Sequence, residues 1–362
     1  MILGLPSDKR VVQWPNESLR FCELFLGENT HLKYIMGRNI YTEALCNLIK
    51  VDGIVDDFTT ETNYKGLPII KVQDIPPKSM VLNASGGRPL SAKYKLDSVG
   101  LSNLDYFAFY QITRLALPEV RFNEGFEHEY LDNKQKYAWI YDLLNDEKSK
   151  EQFLKLINFR FSHDIVHLNG FTQKEDIQYF EDFLDLKQKG ETFIDVGAYD
   201  GFTSKEFIKR CPNYEQVFAF EPDSTNFKKC SESLAAFPNV SCMPIGLSNR
   251  KGILQFDVSG SASKISDSGT VKIAVDRLDD VLKCKPTFIK MDIEGGESAA
   301  IEGATQTILD NHPRLAISVY HSAGDFWRIP HQILSIRSDY DIKLRHYTES
   351  IYETVMFFLP KQ

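Results

Sequence analysis

The stretch that most constrains this chain is Thr192-Phe193-Ile194-Asp195-Val196-Gly197-Ala198-Tyr199-Asp200-Gly201. A short apolar run ends in an acid, passes through a turn with two glycines, and opens onto helical spacing over 202–210. A buried strand feeding a helix through such a turn begins a βαβ unit, which requires a parallel sheet covered by helices. Gly197 and Gly201 permit a tight turn and close approach of the backbone to a ligand. The helix that follows presents N–H groups at its positive end, to a pyrophosphate or a carboxylate. Glu221, 20 residues beyond Gly201, closes the next apolar strand, 216–221. An acid at that tip accepts hydrogen bonds from both ribose hydroxyls. NAD, FAD and S-adenosylmethionine all use this pairing.

Two features separate these cofactors. Tyr199 stands where G-x-G-x-x-G has its middle glycine. Asp195 at the loop's start repels a pyrophosphate but suits a sulfonium and an amine. The second signal is Lys290-Met291-Asp292-Ile293-Glu294-Gly295-Gly296-Glu297, a buried strand over 287–292 ending in acids and glycines. Asp292 and Glu294 in that position serve as a general base, as ligands of a divalent metal, or as contacts to the methionine end of a cofactor. Glu297 reads as the acid of a helix N-terminus. The third is His321, after the strand 314–320, a candidate proton acceptor.

The remaining pattern supplies the frame. Helices are expected over 224–236 and 298–310, and strands over 240–245 and 354–359. The alternating runs 252–258 and 270–275 read as an inserted antiparallel element. Residues 181–362 therefore form a doubly wound, mostly parallel α/β sheet with its ligand beyond the carboxyl ends of the strands. Residues 1–115 show strands at 31–36, 51–57, 66–70 and 80–85 with a helix at 39–50, a smaller Rossmann-like α/β domain. Its first turn carries one glycine, so scaffolding or acceptor recognition suits it better than a dinucleotide. Residues 116–180 read as a helical connector, and 176–189 as the helix leading into the second domain. His163 and His167, four apart, lack a third ligand and read as structural. Phe326-Trp327 within Ala323–Pro330 read as a loop that closes over the acceptor or as a buried loop anchor.

The blocks DVGAYDG, FAFEPD followed by Asn226 and Phe227, IGLSN, FIKMDIEGGE, PRLAISVYH, and LRHY before ETVMFF resemble the FkbM family of methyltransferases across residues 190–360. The resemblance implies a class I fold and S-adenosylmethionine as methyl donor. It implies that Asp195, Gly197, Ala198, Tyr199, Asp200 and Gly201 hold the methionine part, with Asp292 at its edge. Glu221, Pro222 and Asn226 would serve the ribose side, and Gly246, Leu247 and Ser248 would lie near the adenine. Asp292, Glu294 and His321 would ring the acceptor. Tyr199 departs from the family's pattern, which has asparagine or a similar residue there.

The expected activity is O-methylation of a sugar hydroxyl in polysaccharide or glycan biosynthesis, with a sugar, nucleotide sugar or glycan as acceptor and a divalent metal as an optional partner. A small-molecule or lipid acceptor is the alternative within the class. A nicotinamide oxidoreductase and a non-catalytic glycan-assembly scaffold are the alternatives outside it. The net charge of −8 and the lack of any basic stretch argue against nucleic acid. No apolar run spans a bilayer and no signal-peptide layout opens the chain. Six scattered cysteines without C-x-x-C pairs fit reduced thiols. The expectation is a cytoplasmic enzyme that allows homo-oligomers.

Overall fold

The computed structural model describes residues 4–7, 13–28, 30–259, 262–265 and 271–361. Parts of the N-terminal run read for a signal peptide, and Thr270 at the start of an expected strand, lie outside them. The chain divides into two compact units. The first comprises Met1–Asp132, Gln152–Lys174 and His346–Tyr352; the second comprises Asn133–Glu151, Glu175–Arg345 and Glu353–Gln362. The two long helices of the expected connector, Phe126–Leu143 and Glu147–Ser162, each contribute to both units.

The first unit holds a six-stranded sheet: β1 (Lys33–Met36), β2 (Gly53–Val55), β3 (Asn63–Tyr64), β4 (Leu67–Ile70), β5 (Met80–Asn83) and β6 (Ser102–Asp105), in the order β3-β4-β2-β1-β5-β6. All pairs are parallel except β3 with β4. Tyr34, Met36, Val55, Val81 and Leu96 are buried together in its core. Asn39 ends the β1 turn by capping the helix Ile40–Leu48, accepting from the N–H groups of Tyr41 and Thr42. His163 is buried, with its ring nitrogens bonded to Gln111 and Asn123. Burial pushes its imidazole down to about 4, the behaviour of a neutral structural histidine.

The second unit holds the strands β7 (Thr192–Val196), β8 (Gln216–Phe220), β9 (Val240–Met243), β10 (Gly246–Leu247), β11 (Gly252–Ser259), β12 (Ala262–Ile265), β13 (Val271–Asp276), β14 (Phe288–Met291), β15 (Arg314–Ser318), β16 (Tyr340–His346) and β17 (Thr354–Pro360). Seven of them form one sheet in the order β16-β17-β15-β14-β7-β8-β9. The run from β9 to β15 is parallel, and β17 returns antiparallel beside β15. β7 and β14 lie side by side while the chain continues from them in opposite directions, so the switch point, and the crevice that comes with it, lies at their carboxyl ends. The expected antiparallel insertion is the separate sheet β10-β13-β11-β12. Phe193 stacks on Phe207 at 4.5 Å and on Phe288 at 5.0 Å. All three rings are fully buried, each burial stabilising by roughly 1.5–3 kcal/mol.

Three local expectations differ from the structure. Residues 176–189 are not a helix but two 3-10 turns, Glu175–Ile177 and Asp182–Leu184. Tyr179 (φ 71°) and Asp185 (φ 45°) take left-handed backbone there, which no helix continues through. Residues 298–310 form two helices, Glu297–Gly303 and Thr305–Asn311, meeting at Ala304. Gly303 at this joint presses on the Ser248 carbonyl, where a Cβ would come within 1.9 Å. Ala323–Pro330 is not a loop, because Asp325–Ile336 is helical. The Asp325 carboxylate accepts the Ser322 N–H, and Phe326, Ile329 and Ile333 bury one face at helical spacing.

Candidate active site

At the tip of β7, Asp195 is fully buried and held from two sides. The Ser204 hydroxyl donates to it at 2.8 Å, and Lys290 Nζ forms an ion pair with it at 3.1 Å. Lys290 also donates to the carbonyls of Gly197 (2.7 Å) and Val196 (3.3 Å). Burial disfavours its charge, but Asp195, Asp292 and Glu221 together raise the ammonium above the ordinary lysine range. This lysine, inside an otherwise apolar strand, went unremarked as a site residue in the sequence. A lysine at a fully buried strand position needs a carboxylate partner, and that was the available signal.

The loop Asp195–Gly201 is braced by backbone. Gly197 and Ala198 donate to the Phe220 carbonyl, each at 3.0 Å. The Tyr199 N–H donates to Glu221 at 2.9 Å, while its side chain is exposed. Asp200 accepts the Phe202 N–H at 3.0 Å, so that donor of the helix start is already taken. Glu221 is buried and accepts Asp223 N–H through its other oxygen at 2.9 Å. Burial raises its carboxyl, against the pull of these two donors.

Gly197, Pro222, Gly246 and Leu247 line one apolar recess with Val196, Phe220, Leu254, Ile273, Val275, Ile293 and Gly296. It encloses about 360 Å³, part of it open to solvent. The structure thus brings together the two ends of the expected cofactor track. Asn226 does not line the recess; it lies in the first turn of the helix Ser224–Leu234, its N–H bonded to Asp223. Ser248 is buried, its N–H bonded to the Asp276 carbonyl and its own carbonyl against Gly303.

Across the crevice, the turn after β14 carries Asp292, Glu294 and Glu297. Asp292 accepts the Tyr179 hydroxyl at 2.6 Å and faces His321 Nε2 at 3.4 Å. Glu297 faces His321 Nδ1 at 2.9 Å and accepts the Ile293 N–H at 2.8 Å. Glu294 is half-buried on the same turn in left-handed backbone, and its charge bears on His321 and Tyr320. Burial opposes charge on His321, but Glu297 first, then Asp292 and Glu294, raise it to about 10. Burial likewise opposes charge on Asp292, yet His321 and Lys290 hold its carboxyl below the ordinary range. Asp292, Glu297 and His321 have the spacing of a metal cluster. Both ring nitrogens of His321 are directed at these carboxylates.

A pH prediction follows. His321 is raised from its ordinary 6.5 to about 10. Its contribution to stability is therefore fully present below pH 6.5 and is lost as pH rises through about 10, on the order of a few kcal/mol. Denaturant unfolding at neutral and alkaline pH checks this against His321→Gln. Equal alkaline losses in the two chains would contradict it.

Two further residues complete this cluster, and neither was given a site role from the sequence. Tyr179 comes from the segment before β7. Glu353 precedes β17, accepting the Tyr320 hydroxyl at 3.1 Å and a Gln178 amide N–H. Glu353 opens the ETVMFF block, which was its one visible signal.

A seven-stranded doubly wound sheet with an antiparallel return strand and acids at its strand tips has the class I methyltransferase fold. Residues 195–345 match the family model for the methyltransferase FkbM domain. The whole fold is similar to the crystal structure of methyltransferase FkbM from Methylobacillus flagellatus KT, with a TM-score of 0.76, 24% identity, and coverage of 95% of this chain and 93% of that one. The chain is 25% identical over 151 residues to the 2-O-methyltransferase NoeI of Sinorhizobium fredii (34% of this chain, 61% of that protein). It is 30% identical over 170 residues to the hexuronic acid methyltransferase AglP of Haloferax volcanii (44% of this chain, 64% of that protein). The matched stretches thus span less than two thirds of either relative. Among the described residues, no helix is long and apolar enough to cross a membrane.

Proposed function

We propose that this chain is an S-adenosylmethionine-dependent O-methyltransferase acting on a sugar hydroxyl. The observation that carries this reading is the excess of buried and half-buried carboxylate at the switch point. Asp195, Asp292, Glu294, Glu297 and Glu221 outweigh Lys290 and His321, and a pyrophosphate would be repelled there. A ligand bearing a sulfonium and an ammonium gains from the same field. The residues fit that donor. The apolar recess at Pro222, Leu247 and Ile293 suits a purine, and Glu221 keeps lone pairs for a ribose beyond the two N–H bonds it already accepts. Asp195, braced by Lys290 and Ser204, would fix the loop at the amino-acid end. The bound donor supplies an activated methyl group; the protein's task is to orient the acceptor and take its proton.

The substrate class rests on the two relatives whose names specify 2-O and hexuronic acid methylation. Asp292, Glu294 and His321 form the acceptor side, where the charged His321 holds Asp292 ionised and oriented. We read the first unit as a Rossmann-like domain for acceptor recognition, on its strand order, and the six free thiols as fitting a cytoplasmic setting. The test is transfer of labelled methyl from S-adenosylmethionine to oligosaccharides ending in glucuronic acid or in a neutral hexose with a free 2-hydroxyl. Label on a sugar oxygen is expected. Label only on lipid or small-molecule acceptors would overturn the sugar assignment.

A further inference from the structure

Buried titratable groups crowd this crevice, and one has no part in the reading above. We propose that Glu353 is the proton acceptor for the attacking hydroxyl, a role that rests on the methyltransferase reading. The topology brings it there. β17 is antiparallel to β15, with Val355 opposite Ser318. The beginning of β17 therefore lies at the edge where the parallel strands end, and Glu353, immediately before it, reaches the crevice beside His321 and Asp292.

Its surroundings suit a base better than those of its neighbours do. His321 is directed at two carboxylates and has no lone pair to offer while charged. Asp292 accepts the Tyr179 hydroxyl and is held ionised by His321 and Lys290. Glu353 accepts only neutral donors, the Tyr320 hydroxyl on one oxygen and the Gln178 amide on the other. These fix the carboxylate and leave a lone pair on each oxygen. The groups that bear on it are Asp292 from the β14 turn, Tyr320 and His321 from the end of β15, and Gln178 from the segment before β7. Burial first, then the negative charge of Asp292, raise its carboxyl to about 7, against the opposing effects of Gln178, His321 and Tyr320. Two neighbouring carboxylates whose environments push them apart are the usual arrangement for divided acid–base roles. In the step, the hydroxyl oxygen forms its bond to the methyl carbon as the carbon–sulfur bond breaks. The electron pair stays on sulfur, and the hydroxyl proton passes to Glu353.

Glu353→Gln and Glu353→Asp in the full chain test this through three readouts: S-adenosylhomocysteine titration, infrared difference titration of carboxyl groups, and methyl transfer to a glucuronic-acid-terminated oligosaccharide. In the parent chain a carboxyl should titrate near neutrality, and it should vanish in Glu353→Gln while S-adenosylhomocysteine affinity is kept. Transfer should fall about 10²–10⁴-fold, the acidic limb of the kcat/KM profile should disappear, and Glu353→Asp should recover part of the rate. Undiminished transfer by Glu353→Gln, parallel loss of S-adenosylhomocysteine binding, or a neutral carboxyl that persists in Glu353→Gln would each overturn the proposal. If the parent chain binds S-adenosylhomocysteine but leaves the oligosaccharide unmethylated, the sugar reading fails instead, and the titration alone decides Glu353.

Discussion

Gly197→Ala is expected to abolish S-adenosylhomocysteine binding, by at least about 100-fold, and to destabilise the second unit by several kcal/mol. Gly197 sits at φ 79°, and a Cβ there would meet the Asp292 carbonyl at 2.0 Å. That carbonyl is backbone at the end of β14 and has no rotamer with which to yield. The loop after β7 and the turn after β14 must therefore separate, which opens the recess between Gly197 and Gly296 and breaks the Lys290 bond to the Gly197 carbonyl. Left-handed backbone alone costs an L-residue about 1–2 kcal/mol, and the clash adds to that. Gly295→Ala is the control: its φ is 95°, but its nearest neighbour would be His321 Cβ at 3.9 Å. It should lose only about 1–2 kcal/mol. Denaturant unfolding and ligand titration of the two variants separate the effects. Equal, small losses would show that the close approach of loop and turn is unimportant.

Asp292→Asn is expected to cost about 3–5 kcal/mol of stability, because it leaves charged groups buried without their partner. Asp292 balances His321 and Lys290 and accepts the Tyr179 hydroxyl. An asparagine supplies no charge, and its amide must turn N–H toward either the Tyr179 hydroxyl or the His321 ring. Methyl transfer should fall with it, since the imidazolium and Tyr179 lose the group that orients them. Unfolding in urea at neutral pH measures the first effect. A variant as stable as the parent chain would show that the His321 charge is balanced by Glu297 alone.

The convergence of acids at the strand tips was legible in the sequence because parallel, doubly covered strands are continuous apolar runs, and their last residue faces the crevice. Asp195, Glu221 and Asp292 each end such a run, so their convergence follows from one topological rule. The acceptor side was less legible. Glu353 immediately precedes a strand, and it reaches the crevice only because β17 runs backwards, which no local pattern declares. Tyr179 was hidden by its turn: acids and apolar residues at near-helical spacing suggested a helix, while the observed left-handed residue aims its hydroxyl at Asp292 instead. Lys290 was masked by the apolar strand around it. Ala323–Pro330 was read as a loop, although the helix Asp325–Ile336 buries one face at helical spacing.

The most direct test of the central claim is calorimetric titration of the full chain with S-adenosylhomocysteine, with NAD in parallel, repeated on Glu221→Ala. The structure predicts binding of S-adenosylhomocysteine in the micromolar range (on the order of −8 kcal/mol), no comparable binding of NAD, and a loss of affinity in Glu221→Ala. That loss is expected because the recess then has no carboxylate at its ribose edge. Binding of NAD alone, or S-adenosylhomocysteine binding indifferent to Glu221, would contradict it.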